Sequence, residues 1–278
     1  MRFSVRKLST RRRHPLAGFV VLLMGLVVAG GLYAAFAPRA ATAEEASSQK
    51  VEAGRQLFLI GCASCHGKNA EGILTKRDNN YGPTLVGVGA AAVDFQVGTG
   101  RMPLAQAGPQ APRKDPEYTA EETSQLAAYI ASLAPGPAIP DSEYTNYSKT
   151  TVEQLREGGE FFRTNCTACH NSVGAGGALP GGRYAPTLVG VSAKHIYEAM
   201  VTGPQQMPVF ADTTITPEDK KNVIAYIKKV QSQPEYGGMA GGGLGPVPEG
   251  LFTWLIGIGA MVGFAVWIGA HGARVKKR

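Results

Sequence analysis

The sequence predicts an all-α protein: two tandem domains of one kind, with membrane-spanning helices at the N- and C-terminal ends. Three features of the sequence support this prediction. The middle of the chain contains an internal repeat, the last helix of each copy has a clear start signal, and two long apolar segments flank the repeat. The loops within the repeat show no alternation of apolar and polar residues of the kind that a half-buried strand requires.

The first apolar segment covers residues 15–38 of an N-terminal region, 1–43, that begins with basic residues. It holds no charged residue, and its length is sufficient to cross a bilayer as a helix. A cleaved signal peptide is the alternative, because a basic start and the small residues Ala41-Thr42-Ala43 are typical of export signals. The apolar run exceeds the ~7–15 residues of a signal core. Both interpretations of this segment, a retained anchor and a cleaved signal peptide, therefore remain open.

The second apolar segment, residues 251–270, is uncharged and is followed by a basic tail, 271–278. This combination predicts a C-terminal transmembrane helix. Because basic residues favour the cytoplasmic side, we expect both termini in the cytoplasm and the region between the helices on the extracytoplasmic side. The prediction is a cell-membrane protein, multi-pass if the N-terminal segment is retained.

The net charge of +7 reflects this topology and does not indicate a nucleic-acid partner. Between Glu44 and Glu249 the chain holds 17 basic and all 21 acidic residues, a net charge of −4. The excess of basic residues therefore lies beside the apolar segments. No basic face remains in the middle of the chain to neutralise phosphates, so we expect no nucleic-acid binding.

The internal repeat consists of three motifs that recur in the same order, with an offset of 104 residues at the cysteines. The first copy reads Cys62-Ala63-Ser64-Cys65-His66, then Pro83-Thr84-Leu85-Val86-Gly87-Val88, then Met102-Pro103. The second reads Cys166-Thr167-Ala168-Cys169-His170, then Pro186-Thr187-Leu188-Val189-Gly190-Val191, then Met207-Pro208. We expect one domain at 50–134, a Pro-rich linker at 135–150, a second domain at 151–234 and a Gly/Pro-rich linker at 235–250.

The last helix of each copy has a predicted start. Thr119 opens a capping box that ends at Glu122, and Thr216 precedes Pro217 at the first helical position. Apolar residues then recur at helical spacing, at Leu126, Tyr129, Ile130 and Leu133 in the first copy and at Val223, Ile224, Tyr226, Ile227 and Val230 in the second.

All four cysteines lie in two C-x-x-C-H motifs. On one helical turn, this spacing lets two thiols bond to the two vinyl groups of one haem while the following histidine ligates its iron. A disulfide or redox dithiol leaves both histidines unexplained, and a four-cysteine zinc site needs far shorter loops than the 100 residues between Cys65 and Cys166. The motifs predict two covalently bound haem c groups, attached through Cys62, Cys65, Cys166 and Cys169.

The axial ligands of the irons are expected to be a histidine and a methionine at each haem. His66 and His170 follow the cysteine pairs, and Met102 and Met207 lie 36 and 37 residues after them. Each methionine precedes a proline, which favours an extended backbone at the methionine. Packing in the core is the alternative role of both methionines. His195 is expected to be a surface helix residue, and its alternative role is a second histidine ligand of the second haem.

Histidine–methionine ligation fills both axial positions of each iron with protein atoms, and it raises the reduction potential. This pattern favours electron transfer. A dihaem peroxidase would require an open or displaceable ligand, so the paired methionines argue against that enzyme class.

Each copy resembles class I cytochrome c over residues 51–134 and 152–232. A glycine, a phenylalanine and a distant tyrosine look like that family's crossing of first and last helices, at Gly54, Phe58 and Tyr129 and again at Gly158, Phe162 and Tyr226. Two such domains followed by a membrane helix resemble the dihaem cytochrome c subunit of actinobacterial-type cytochrome bc1 complexes, which are menaquinol–cytochrome c reductases.

This resemblance implies cytochrome b and Rieske iron–sulfur subunits as partners and a haem-copper terminal oxidase as the electron acceptor. The chain would be the electron-transfer subunit of an oxidoreductase complex, with no catalytic site of its own. The haem at His66 would receive electrons and the haem at His170 would deliver them. The alternatives are a dihaem subunit of a cytochrome oxidase, whose anchor is typically N-terminal, and a membrane-tethered electron shuttle.

The first copy carries an additional Pro-rich loop, Ala105–Glu117. Met102 and Thr119 are 17 residues apart, whereas Met207 and Thr216 are 9 apart. A tolerated surface insertion is the favoured interpretation of this loop, and a contact with a partner is the alternative.

Overall fold

A computed structural model of the chain describes residues 16–36, 48–74, 80–106, 108–233 and 250–270. The described part is mostly helical, as predicted. Predictions about the N-terminal basic residues, the linker at 235–250 apart from its last residue, and the basic tail lie outside these residues. The first described element is the apolar helix α1, Ala17–Phe36.

The first repeat copy contains three longer helices and a short hairpin. Its elements are α2 (Ser48–Gly61), the single turn α3 (Ala63–His66), β1 (Ile73–Leu74), β2 (Asn80–Gly82), α4 (Gly89–Gly98) and α5 (Ala120–Leu133). Strands β1 and β2 are antiparallel. The prediction that only loops separate the helices was therefore wrong here, because a strand of two or three residues is too short to show an alternating pattern.

The second copy repeats this order after a helical turn in the connecting segment, α6 (Ser142–Thr145). Its elements are α7 (Val152–Asn165), α8 (Thr167–His170), β3 (Gly177–Leu179), β4 (Arg183–Ala185), α9 (Ala193–Thr202) and α10 (Pro217–Gln231). The antiparallel hairpin pairs Ala178 with Tyr184. Both predicted helix starts are confirmed: the Thr119 and Thr216 side chains accept hydrogen bonds from backbone N–H groups three residues on.

The connecting segment packs against neighbouring residues of the chain. The backbone N–H of Ala91, in the first copy, donates to the carbonyl of Pro137 at 3.1 Å. Tyr144 of α6 lies against Tyr197 of α9, with ring centroids 6.1 Å apart. The segment therefore contacts both copies of the repeat.

The last described helix, α11 (Gly250–Ala270), includes a π-helical stretch at Thr253–Ile258. Among the described residues it is the one helix long and apolar enough to cross a membrane. In α1 the described apolar stretch is Ala17–Gly31, which is shorter than a membrane-spanning helix requires. The predicted C-terminal membrane helix is therefore plausible by length and composition, and the N-terminal span remains a prediction.

The first and last helices of each copy cross at a glycine. A Cβ on Gly54 of α2 would overlap the carbonyl of Gln125 in α5, and a Cβ on Gly158 of α7 would overlap the carbonyl of Asn222 in α10. One turn on, Phe58 is buried with 1% exposure, and Phe162 packs against Tyr226. The glycines let the two backbones approach closely enough for these aromatic contacts, which confirms the helix crossing that the sequence suggested.

Replacing Gly158 with alanine is expected to lower the free energy of unfolding by ~1–3 kcal/mol, because the new methyl group would press on backbone that cannot rotate away. The neighbouring Gly159→Ala is the matched control. Its Cβ would meet ring carbons of Tyr226 at 2.9 Å, a side chain that can shift. Thermal unfolding followed by circular dichroism should show a clear loss for Gly158→Ala and a much smaller one for Gly159→Ala. Equal losses would contradict the proposed backbone contact.

The additional loop, Ala105–Glu117, contacts the second copy. Gln110 exchanges two hydrogen bonds with the backbone of Tyr184 in β4: its amide nitrogen donates to the Tyr184 carbonyl at 2.8 Å, and its amide oxygen accepts from the Tyr184 N–H at 2.9 Å. Most of the described residues of the loop are exposed, as expected for a surface insertion, but Gln110 bonds to the second copy. A side chain that pairs with backbone 74 residues away leaves no local signal in the sequence.

Candidate haem sites

Each C-x-x-C-H motif lies on one helical turn that continues directly from the first helix of its copy. The N–H of Cys62 donates to Phe58 O at 2.8 Å, and the N–H of His66 donates to Cys62 O at 3.0 Å. In the second copy, His170 N donates to Cys166 O at 2.8 Å. The hydrogen bonding of both turns therefore brings two thiols and one imidazole into the spacing that covalent haem attachment requires.

The imidazole of each motif is oriented by a backbone carbonyl. His66 Nδ1 donates to Pro83 O at 2.7 Å, and His170 Nδ1 donates to Pro186 O at 3.0 Å. A hydrogen bond at Nδ1 fixes the tautomer and leaves Nε2 as the nitrogen that can bind a metal. The sequence showed the recurring prolines but not this role, because the acceptor is main chain.

The threonine that follows each proline holds that carbonyl's loop in place. Thr84 Oγ1 donates to Ala70 O at 3.2 Å and accepts from the N–H of Val86 at 3.2 Å. Thr187 makes the equivalent pair of bonds in the second copy. In the recurring proline–threonine motif, the proline carbonyl therefore orients the histidine and the threonine holds the loop that carries this carbonyl.

In the second copy, the predicted site residues line one cavity of about 300 Å³. Cys166, Cys169, His170 and Met207 all contribute to its wall, and most of the remaining lining is apolar. Burial lowers the pKa of His170, more than the bond to Pro186 raises it. A neutral imidazole, a thioether and two thiols in an apolar cavity are a donor set that fits a haem c group.

In the first copy, Cys62 and Met102 pack against the core cluster that contains Phe58. His66 is 8% exposed. Burial, and to a smaller degree Cys65, raises the pKa of Cys62 to about 11. Burial, and to a smaller degree Cys169, raises the pKa of Cys166 to about 11. Both half-buried thiols are therefore protonated at neutral pH.

A charged cluster joins α4 of the first copy to α9 of the second. Lys194 Nζ lies 2.6 Å from Asp94 Oδ2, and His195 Nε2 lies 3.6 Å from the same oxygen. His195 is therefore half-buried between the copies, and its assignment to the surface was wrong. Helical spacing places a residue on a face but does not show that another domain covers that face.

The fourth member of this cluster, Glu198, is fully buried and accepts no hydrogen bond. Burial raises its pKa to about 10, with a further contribution from Asp94. Burial also raises the pKa of Asp94, but its contacts with His195, Lys194 and Glu198 outweigh that effect and lower it to about 2. The arrangement at neutral pH is therefore a protonated Glu198 beside an ionised Asp94. Since Lys194 already neutralises Asp94, the cluster does not require a metal ion.

Replacing Glu198 with glutamine is expected to flatten the pH dependence of stability. Above a pH of about 4.5 an unfolded glutamate loses its proton while the folded Glu198 keeps it, so folding becomes less favourable as pH rises toward 10, by at most ~1.4 kcal/mol per pH unit. Glutamine removes this penalty. Melting temperatures measured between pH 5 and 9 should fall less in Glu198→Gln than in the parent protein. The exposed Glu143→Gln is the control, and parallel curves for all three proteins would contradict the buried proton.

Family profiles match two separate parts of the chain. The cytochrome c family profile matches residues 51–134, and the profile described as cytochrome C oxidase, cbb3-type, subunit III matches residues 153–227. Two cytochrome c domains imply covalent haem c at the two C-x-x-C-H motifs. A solved chain from a Kuenenia stuttgartiensis reducing HAO-like protein complex aligns over 64% of this chain and 96% of its own, with a TM-score of 0.36 and 16% identity, too low to indicate a common fold.

Curated relatives match almost the whole chain. A cytochrome bc1 complex cytochrome c subunit of Mycobacterium tuberculosis is 44% identical over 94% of this chain and 93% of its own length. The protein of the same name from Corynebacterium efficiens is 41% identical over 96% and 94%. The cbb3-type cytochrome c oxidase subunit FixP of Sinorhizobium medicae is 29% identical over only 50% and 44%. With two cytochrome c domains and relatives matched nearly end to end, the chain belongs to the family of cytochrome bc1 complex cytochrome c subunits.

Proposed function

We propose that this chain is the dihaem c-type cytochrome subunit of a respiratory quinol–cytochrome c reductase, relaying electrons from a Rieske iron–sulfur protein toward a haem-copper terminal oxidase. The observation that carries the proposal is the end-to-end match to bc1 complex subunits at 40–44% identity. In such a complex the partners of this chain would be a cytochrome b subunit and a Rieske subunit. The complex is the oxidoreductase, and this chain contributes no catalytic site of its own.

In this proposal each domain holds one haem c through side chains of its repeat motifs. Cys62 and Cys65 form the thioether bonds of the first, with His66 and Met102 as iron ligands. In the second domain the thioethers form at Cys166 and Cys169, and the ligands are His170 and Met207. The bound group supplies one-electron chemistry, since its iron cycles between two oxidation states.

The chain would tune that chemistry in three ways. The Pro83 and Pro186 carbonyls orient the two histidines, which fixes the nitrogen that faces the iron. Met102 and Met207 would supply the second protein ligand of each iron, and a thioether ligand favours the reduced state. The apolar lining limits access of water, which also raises the potential.

The relay is proposed to run from the first domain to the second, with the haem at His66 receiving electrons and the haem at His170 delivering them. Contacts between α4 and α9 and the bonds of Gln110 to Tyr184 support a short path, since they hold the two domains together. Helix α11 would anchor both domains on the extracytoplasmic side, with the termini in the cytoplasm.

The second candidate is a dihaem subunit of a cytochrome oxidase. It is favoured by the cbb3-type subunit III profile over residues 153–227, but that similarity covers one domain and the bc1 relatives cover both.

Purification from membranes in mild detergent, followed by identification of co-purifying subunits, separates these functions. The proposal expects a cytochrome b and a Rieske protein in constant ratio to this chain, together with reduction of its haems by quinol. Co-purification with oxidase subunits alone, and no reduction by quinol, would favour the second candidate.

A further inference from the structure

The cavity of the second domain is not built by the second domain alone. Five residues of the first domain contribute to its wall, from the end of α4 and from the additional loop: Phe95, Thr99, Arg101, Gln110 and Arg113. The first domain therefore closes one side of the space in which Cys166, Cys169 and His170 lie.

The additional loop is hydrogen-bonded to the second domain and packed closely against the first. On the second domain, Gln110 pairs with the backbone of Tyr184, and the N–H of Ala111 donates to the Gln205 side chain at 3.3 Å. On the first domain, Gly100 has a φ of +69°, and a Cβ there would overlap the carbonyl of Lys114. Only a glycine lets the loop pack this closely, so the loop is held as a clamp between the domains.

Two of the contributed residues are arginines without an acidic partner. Arg101 is 8% exposed; its Nη1 donates to Thr99 Oγ1 at 2.6 Å, and its guanidinium lies 4.7 Å from the centre of the Phe95 ring. Among the ion pairs of the described residues, none involves Arg101 or Arg113. Burial and then the charge of Arg113 lower the pKa of Arg101, so the two guanidinium groups reinforce one positive potential.

The buried guanidinium of Arg101 is costly unless an anion compensates it, whereas Arg113 is exposed. Both arginines are well suited to bind carboxylates, because a guanidinium presents paired N–H donors. A haem c group carries two propionate carboxylates on the edge away from its thioether bonds. The cavity thus combines a haem attachment motif from one domain with unpaired arginines from the other. The positive guanidinium groups are complementary in charge to the negative propionates.

We propose that Arg101 and Arg113 of the first domain bind the propionate carboxylates of the haem held by the second domain, and that the Gln110 loop clamps them there. This inference rests on the proposed function, in which the second domain holds a haem c. A positive charge beside the haem stabilises the reduced iron relative to the more positive oxidised iron. The potential of the second haem is therefore set partly by the first domain.

The test is a spectroelectrochemical titration of the detergent-purified full-length protein and its variants. Arg101→Gln and Arg113→Gln should each shift the potential of the second haem to more negative values. A tenfold change in the reduction equilibrium is expected, which is a shift of ~59 mV for one electron. Arg101→Lys, which keeps the charge, should shift it much less. Arg156→Gln is the matched control, because it removes one surface guanidinium of the second domain that is paired with Glu153.

The step that belongs to the second haem is identified by its response to Met207→Leu. A negative shift confined to that step in both glutamine variants supports the inference. A shift confined to the first haem, no shift, or an equal shift in Arg156→Gln overturns it. Covalent haem is counted first in the parent protein by its mass. Absence of a second haem there would refute the proposed function itself, whereas unchanged potentials with both haems present refute only the role of the arginines.

Discussion

Replacing Met207 with leucine is expected to leave the second haem covalently attached while lowering its reduction potential and opening its iron to carbon monoxide. The thioether favours reduced iron and blocks the sixth position, so its loss removes both effects. Because axial ligands set haem potentials over a range of roughly 0.8 V, we expect a drop of more than ~0.1 V. Redox titration and the carbon monoxide difference spectrum measure the two effects. Met102→Leu should do the same at the first haem.

The second cavity offers a close control for this experiment. Met200 of α9 is buried with 3% exposure and lines the same space as Met207, but it has no counterpart in the first copy. Met200→Leu should keep the potential and exclude carbon monoxide. If Met200→Leu lowers the potential and admits carbon monoxide while Met207→Leu does neither, the iron ligand is Met200 and not Met207.

Replacing His170 with alanine is expected to stop electron flow from quinol to the oxidase while the first haem is still reduced by quinol. The reason is the proposed order: electrons enter at the haem held by His66, and the second iron without its histidine loses both its position and its potential. A loss of at least ~100-fold in oxidase-directed turnover is expected, since one missing second-shell partner alone already costs 10–100-fold at a metal site. Rapid-mixing spectroscopy of the purified complex measures both steps.

His195→Ala is the control for this prediction, because it removes another imidazole from the wall of the same cavity without touching a proposed ligand. Electron flow should persist in that variant. If the first haem stays oxidised in an assembled His170→Ala complex, the order is reversed or the two haems act in parallel. If His195→Ala stops the flow instead, His195 has a role at the second haem that the ligand assignment omits.

The parts of the fold that could be predicted are those with a local signature. Capping boxes, helical spacing and the glycine–phenylalanine pairs identify helices from neighbouring residues, and the cysteine motifs identify themselves by spacing. The features that were missed depend on contacts between distant residues or on main-chain atoms. The Pro83 and Pro186 carbonyls, the burial of His195 and the pairing of Gln110 with Tyr184 are of this kind.

The same division applies to the site. The eight predicted haem-binding residues could be identified from the sequence because each copy repeats them. Repetition distinguishes a ligand from a packing residue. It does not show that the second cavity is closed by the first domain. Arg101 and Arg113 lie 65 and 53 residues before Cys166 along the chain, and only the folded contact between the copies brings them beside it.

The central claim is that this chain carries two haem c groups, one in each domain, and the intact mass of the purified polypeptide after acid–acetone extraction tests it most directly. The account predicts a mass equal to the chain plus two haems, falling to one haem in Cys166→Ser/Cys169→Ser. Colour that passes into the acetone, or a mass that shows one haem or none in the parent protein, would contradict it.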